Sequence, residues 1–270
     1  MHNTAGLIRS EGTFVRDGQT SELFLTEHAE YAEIVKITND AKCAFATVYD
    51  FAAVAVDAGP HSSLWQIGAG LANTVTYVPK KYVEELQLEE KDGFVLWATP
   101  PFSQRMLPPE AFEDGFHESE KHVMTGEEFM KMYEQAKKDM SKPPAERQVY
   151  MERRLESIII ESLNLQNDEL GMHLFKEYAE PYGKRLDEMG FSKIPVWTRP
   201  FVEKPYSVNL WFGNRQEHRK KFVLDASTDG VYIGARARGV RRWKAPENPD
   251  GAHGNVHATG VRRQKTLEGF

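Results

Sequence analysis

Between Asn214 and Phe270 the chain carries twelve lysines and arginines against six acids. That segment is +6, and because the whole chain is −6, the first 213 residues are −12. A basic surface of this kind collects anions. In the run VYIGARARGV, strand alternation puts Arg236 and Arg238 on one face with Tyr232. Arg241, Arg242 and Trp243 follow directly, Lys220 and Lys221 precede the run, and Arg262 and Arg263 stand in the tail. Arginines beside aromatic rings hold phosphates and stack on bases. These nine residues are the expected anion-binding set, and nucleic acid or an acidic protein surface is the expected partner. A second expectation uses the same charges without an outside partner. The basic segment then pairs with the acidic helical half, within one chain or across a homo-oligomer, and Arg236 to Arg242 lie in salt-bridge reach of helical acids.

Other chemistry is thinly represented. His117 and His122 are five apart, about 140° around a helix, so they do not form a helical zinc-protease pair. His253 and His257 are four apart but are set among glycines, and a third ligand such as His61 or Asp250 would have to come from elsewhere. Gly68-Ala69-Gly70 lacks the third glycine of a dinucleotide fingerprint. Glu152, Glu156 and Glu161 lack the histidine spacing of a di-iron bundle. Neither a metal nor a cofactor is expected. Asp225, or a histidine beside an arginine clamp, would serve as acid or base if the protein acts on a phosphorylated or otherwise anionic substrate. Cys43 is the one cysteine, which excludes an intramolecular disulfide. The absence of a secretory signal and of a long apolar run points to a cytoplasmic protein without a membrane span.

The elements that position these residues are read from periodicity. Residues 1–20 read as a polar arm with one short strand, and 26–37 as a helix. Phe45, Val48, Tyr49, Ala52, Ala55 and Val56 share a helical face, which predicts a helix over 40–57. Residues 73–78 and 94–98 read as strands. Thr125 and Glu128 form a capping-box pattern that starts a helix to about Met140. A stripe of Met151, Leu155, Ile158, Ile159 and Ser162 predicts a long helix after Pro144. Asp168 caps another helix, broken near Pro181 and ended at Gly190. Beyond Phe191, Pro195, Pro200 and Pro205 exclude helix. SVNLWF, KFVLDA and VYIGARA then read as strands, with Asp229-Gly230 as a hairpin turn.

The expected fold class is α+β. An acidic, helix-rich body with a small sheet spans 1–190, a mostly antiparallel basic β-sheet spans 191–246, and an extended C-terminal tail spans 247–270; the three can form one domain. The expected function is that of a non-enzymatic binding or assembly protein whose basic C-terminal sheet and tail engage an anionic partner.

Overall fold

The structure, a computed structural model, describes residues 7–16, 18–29, 31–100, 121–122, 126–154, 158–197, 206–215, 221–225 and 238–242. It is mixed α and β. The strands are β1 (Leu7–Arg16), β2 (Gln19–Thr26), β3 (Ala44–Phe45), β4 (Ala69–Val78), β5 (Phe94–Ala98), β6 (Lys121–His122), β7 (Val149–Glu152), β8 (Ile158–Glu161), β9 (Lys193–Trp197), β10 (Tyr206–Arg215), β11 (Lys221–Asp225) and β12 (Arg238–Arg242). The helices are α1 (Tyr31–Asp40), α2 (Val48–Ala55), α3 (Lys80–Glu85), α4 (Gly126–Asp139), α5 (Glu169–Phe175) and α6 (Ala179–Glu188). One sheet runs β1-β2-β12-β3; a larger one runs β7-β5-β4-β10-β11-β9-β8, with β6 beside β10. Pairing is antiparallel except between β9 and β11. Strands from both sides of residue 190 share each sheet.

The central strands are covered on both faces, which is why their sequences lack a hydrophobic alternation. On β5, Val95 and Trp97 join the core beneath α2, α5 and α6, while Phe94, Leu96 and Ala98 face α3 and α4. On β4, Leu71, Val75 and Tyr77 take the first side, and Thr76 on the second donates its hydroxyl to Met132 sulfur at 3.6 Å. The first core is dense in rings: Phe51 and Phe175 each lie 5.0 Å, centroid to centroid, from Phe212 and Tyr182 respectively. Gly183 brings α6 against the 162–167 turn, because a Cβ there would overlap the Ser162 carbonyl oxygen.

Several expectations are corrected. The predicted 40–57 helix is a turn, β3 and the shorter α2. Lys42 turns the chain with φ 53°, and Thr47 caps α2. The Thr47 hydroxyl and backbone N–H both donate to Asp50 Oδ2 at 2.8 Å, and the Asp50 N–H returns a bond to Thr47 Oγ1. The predicted long helix over 145–166 is instead a 3-10 turn, β7, β8 and a second 3-10 turn. Its start is taken by Asp139, whose Oδ2 accepts the Gln148 and Val149 N–H groups at 2.7 and 3.0 Å. Pairing of β7 with β5 then outweighs the helical stripe, and the β-branched Ile158 to Ile160 suit a strand. The helix break lies at Lys176–Tyr178, before Pro181, which fits in the first turn of α6. The N-terminal arm is a full β1–β2 hairpin. β11 joins β9 and β10, and β12, which follows VYIGARA, joins β2 and β3. The Asp229-Gly230 turn, the VYIGARA strand and the Thr125 cap lie outside the described residues.

Candidate anion-binding surface

Of the nine expected residues, Arg238, Arg241 and Arg242 fall on β12 and Lys221 opens β11. Arg236, Trp243, Lys220, Arg262 and Arg263 lie outside the described residues. The register puts Arg238 opposite Leu25, Arg241 opposite Glu22 and Arg242 opposite Ser21. The basic strand is thus laid along the N-terminal hairpin, which carries acids of its own.

Arg238 is fully buried. Its Nε donates to Glu11 Oε2 at 2.7 Å, and its Nη2 donates to the Ile67 carbonyl at 2.8 Å. The guanidinium carbon stands 4.5 Å from the centroid of the Phe51 ring. Both side chains of the ion pair are at 0% exposure, so this arginine is committed to the interior. Arg241 repeats the motif at the surface. It reaches Glu22 at 3.5 Å and lies over Phe24 at 4.6 Å, with the pair 25% and 16% exposed. The two acids come from strands β1 and β2, where helical acids were expected. Residue type and spacing did not single out Glu11, Glu22, Phe24 or Phe51. Neither acid carries a signal in the sequence: Glu22 precedes the unbroken apolar run Leu23-Phe24-Leu25, and Glu11 lies among polar neighbours.

The remaining candidates are dispersed. His173 is buried on α5 and stacked on Tyr150 at 5.8 Å, and neither ring nitrogen has a hydrogen-bond partner. Burial, followed by the charges of Lys176 and Arg147, lowers its pKa to about 3, so it is neutral. His61 lies in a turn and His122 on β6. His117, His253, His257 and Asp250 lie outside the described residues. Asp225 ends β11 opposite Trp211. Cys43 is buried beside Phe24 and Ala41, and that burial raises its thiol pKa. Among the described residues no three histidines, cysteines or carboxylates cluster as metal ligands do. No described helix is long and apolar enough to cross a membrane.

Two open cavities are evident among the described residues. One, of about 330 Å³, is lined by Arg147, Tyr150, Glu152, Arg153 and Glu169. Its charges are partly spent: Arg147 donates to Glu169 at 2.9 Å, and Arg154 to Glu152 at 2.5 Å. The other, of about 240 Å³, lies between the N-terminus of α2 and the C-terminus of α5. Arg238 and Arg241 line neither.

No protein-family model and no curated protein matches the sequence. A solved structure from Nanoarchaeota does match, reported as the accommodation of massive sequence variation by the C-type lectin fold. It covers 84% of this chain and 99% of its own, with a TM-score of 0.54 at 13% identity. The likeness is one of fold: the chain is similar to a C-type lectin scaffold.

Proposed function

We propose that the protein is a non-enzymatic binding protein, a C-type-lectin-like scaffold whose basic C-terminal segment engages an anionic partner. The observation that carries this reading is residual charge. Arg238 and Arg241 are neutralised by Glu11 and Glu22, which lie outside the segment. The remaining ten cations still exceed the six acids of the segment by four. Cations in excess of their acids, interleaved with Trp243 and Tyr232, suit nucleic acid, whose phosphates and bases they complement. The acidic part of the chain, by contrast, repels such a partner and so orients it. A single buried thiol suits a cytoplasmic setting.

The test is a salt-titrated binding assay on full-length protein with labelled single- and double-stranded DNA and RNA. Reversing Lys220, Lys221, Arg262 and Arg263 to glutamate is expected to weaken binding by about tenfold or more. It should also flatten the log–log salt slope by about one for each phosphate no longer neutralised. Affinity and slope that match the native protein would overturn the reading. Arg238 is left untouched in this test, since it is buried in an ion pair and its loss would destabilise the scaffold.

A second reading, an assembly subunit, rests on the same two ion pairs: they show that basic and acidic parts of this chain do join. In that case no nucleic acid binds at low salt, and the oligomeric mass falls when the same four residues are reversed.

A further inference from the structure

β7 ends the larger sheet: β5 pairs with one of its edges, and no described strand pairs with the other. The cavity of about 330 Å³ lies along that free edge. It is lined by residues 147 and 149–153, by Ala136 and Met140 at the end of α4, and by Glu169 of α5. Side chains of a strand alternate between its two faces. Consecutive strand residues therefore line one cavity only where it straddles the edge.

The hydrogen-bond parity of β7 fixes what this edge offers. In an antiparallel ladder, bonded and non-bonded pairs alternate. The Thr99 N–H donates to the Gln148 carbonyl at 3.0 Å, just before the strand. Tyr150 and Glu152 then bond inward to β5, while the backbone groups of Val149 and Met151 point outward. The Val149 N–H goes to Asp139, as that parity requires. The Met151 N–H and C=O have no partner among the described residues. The two walls differ. On the α4 side Met151 packs against the cluster that holds Ala136 and Val149, and Met140 is 46% exposed. On the α5 side stand the Tyr150 ring and the Arg147–Glu169 pair. Arg153, one step beyond β7, is exposed and has no ion pair among the described residues.

We propose that this groove takes an extended peptide of a partner protein as an added antiparallel strand. The peptide residue opposite Met151 exchanges both backbone hydrogen bonds with it, and its side chain falls on the Met140 wall. The residue opposite Arg153 comes two earlier and lies on the same face, where a carboxylate complements the unpaired guanidinium. The recognised pattern is an acidic residue, any residue, then an apolar one. A single strand fits an edge set between two helices, whereas a second copy of this chain would bring its own α4 and α5 against them. The site shares no residue with the C-terminal segment and does not depend on that reading.

Fluorescence anisotropy of the full-length protein with labelled acetyl-Lys-Thr-Glu-Thr-Leu-Thr-Ser-amide tests it. A Kd of about 0.1–1 mM is expected. N-methylation of the leucine removes the N–H that meets the Met151 carbonyl, and should weaken binding by about tenfold. N-methylation of the threonine after it, whose N–H faces away from β7, should change affinity by less than about threefold. Arg153→Glu, at an exposed and unpaired position, should weaken the native peptide by about fivefold and strengthen the peptide with lysine in place of glutamate. No binding to the native protein at about 2 mM overturns the proposal. So do equal losses from the two N-methyl peptides, or an order of peptide affinities that Arg153→Glu leaves unchanged. A dimeric mass together with no peptide binding would assign the edge to a second copy instead.

Discussion

Arg238 and Arg241 stand three residues apart on one strand, and each is clamped between a ring and a carboxylate of the N-terminal half. The inner pair is closed off from water; the outer pair is a quarter exposed at the arginine. Their contacts are nearly the same, so the difference in solvent isolates what burial does to an ion pair. In the interior the attraction is strong, but so is the penalty if either partner is removed. At the surface, water and salt share the charge and the pair contributes little. The inner arginine ties β12 to Glu11 of β1 and Phe51 of α2, and the outer one ties it to Glu22 and Phe24 of β2.

The sharpest way to break this comparison is at Glu11. Removing the carboxylate leaves a guanidinium buried with only the Ile67 carbonyl and the Phe51 ring. Glu11→Ala or Arg238→Ala is therefore expected to cost about 3–5 kcal/mol in urea unfolding. The double change Arg238→Met with Glu11→Leu should recover most of that, since an apolar pair of similar volume removes both charges together. A single variant that is destabilised by less than about 1 kcal/mol would mean that the inner pair behaves as a surface pair.

His173 sharpens the comparison by giving burial without an ion pair. It stays neutral down to about pH 3 in the folded protein, whereas in the unfolded chain it titrates near the ordinary histidine value of 6.5. Between those values the unfolded state binds the extra proton, so stability is present above pH 6.5 and is lost as pH falls toward 3. Between pH 7 and pH 5 the loss is expected to be about 2 kcal/mol. His173→Phe keeps a ring against Tyr150 and should remove that part of the pH dependence. Unfolding curves at pH 7 and pH 5 decide it; an unchanged pH slope in the variant would mean that the native imidazole titrates freely.

How far these sites are legible in the sequence follows the same division between local and non-local causes. FVLWA reads as a buried strand from composition alone, and Asp168 reads as a cap whose side chain accepts the Gly171 N–H at 2.9 Å. Both depend on neighbours in the chain. The stripe from Met151 to Ser162 misleads because its period suits a helix, whereas a carboxylate from α4 and the edge of β5 claim the backbone first. The cap formed by Thr47 and Asp50 is hidden by the apolar helical face that runs through it. For the basic strand, charge and alternation point to arginines that act together, and the structure supplies partners 219 and 227 positions away. Separations of that size leave no local mark, so nothing in the sequence favours Glu11 over any other acid. The free edge of β7 escapes notice for a different reason: which strand ends a sheet is set by the whole topology and does not show in residue type.

The smallest effect belongs to Arg241. Its guanidinium has a partly exposed carboxylate at 3.5 Å and the Phe24 ring at 4.6 Å, and it sits beside the buried Cys43. Arg241→Ala is expected to cost about 0.5–1 kcal/mol, because the ion pair is screened and the cation–π contact is modest in a half-open setting. Raising salt to about 1 M should shrink that cost, since the Debye length there is roughly 3 Å and the pair is reached by solvent. The Arg238 variants should show almost no such salt response, as their charge is shut away from the solution. Urea unfolding of both variants at low and high salt separates the cases. A salt response of equal size at the two positions would show that solvent reaches the inner pair, and the contrast between the two ends of β12 would fail.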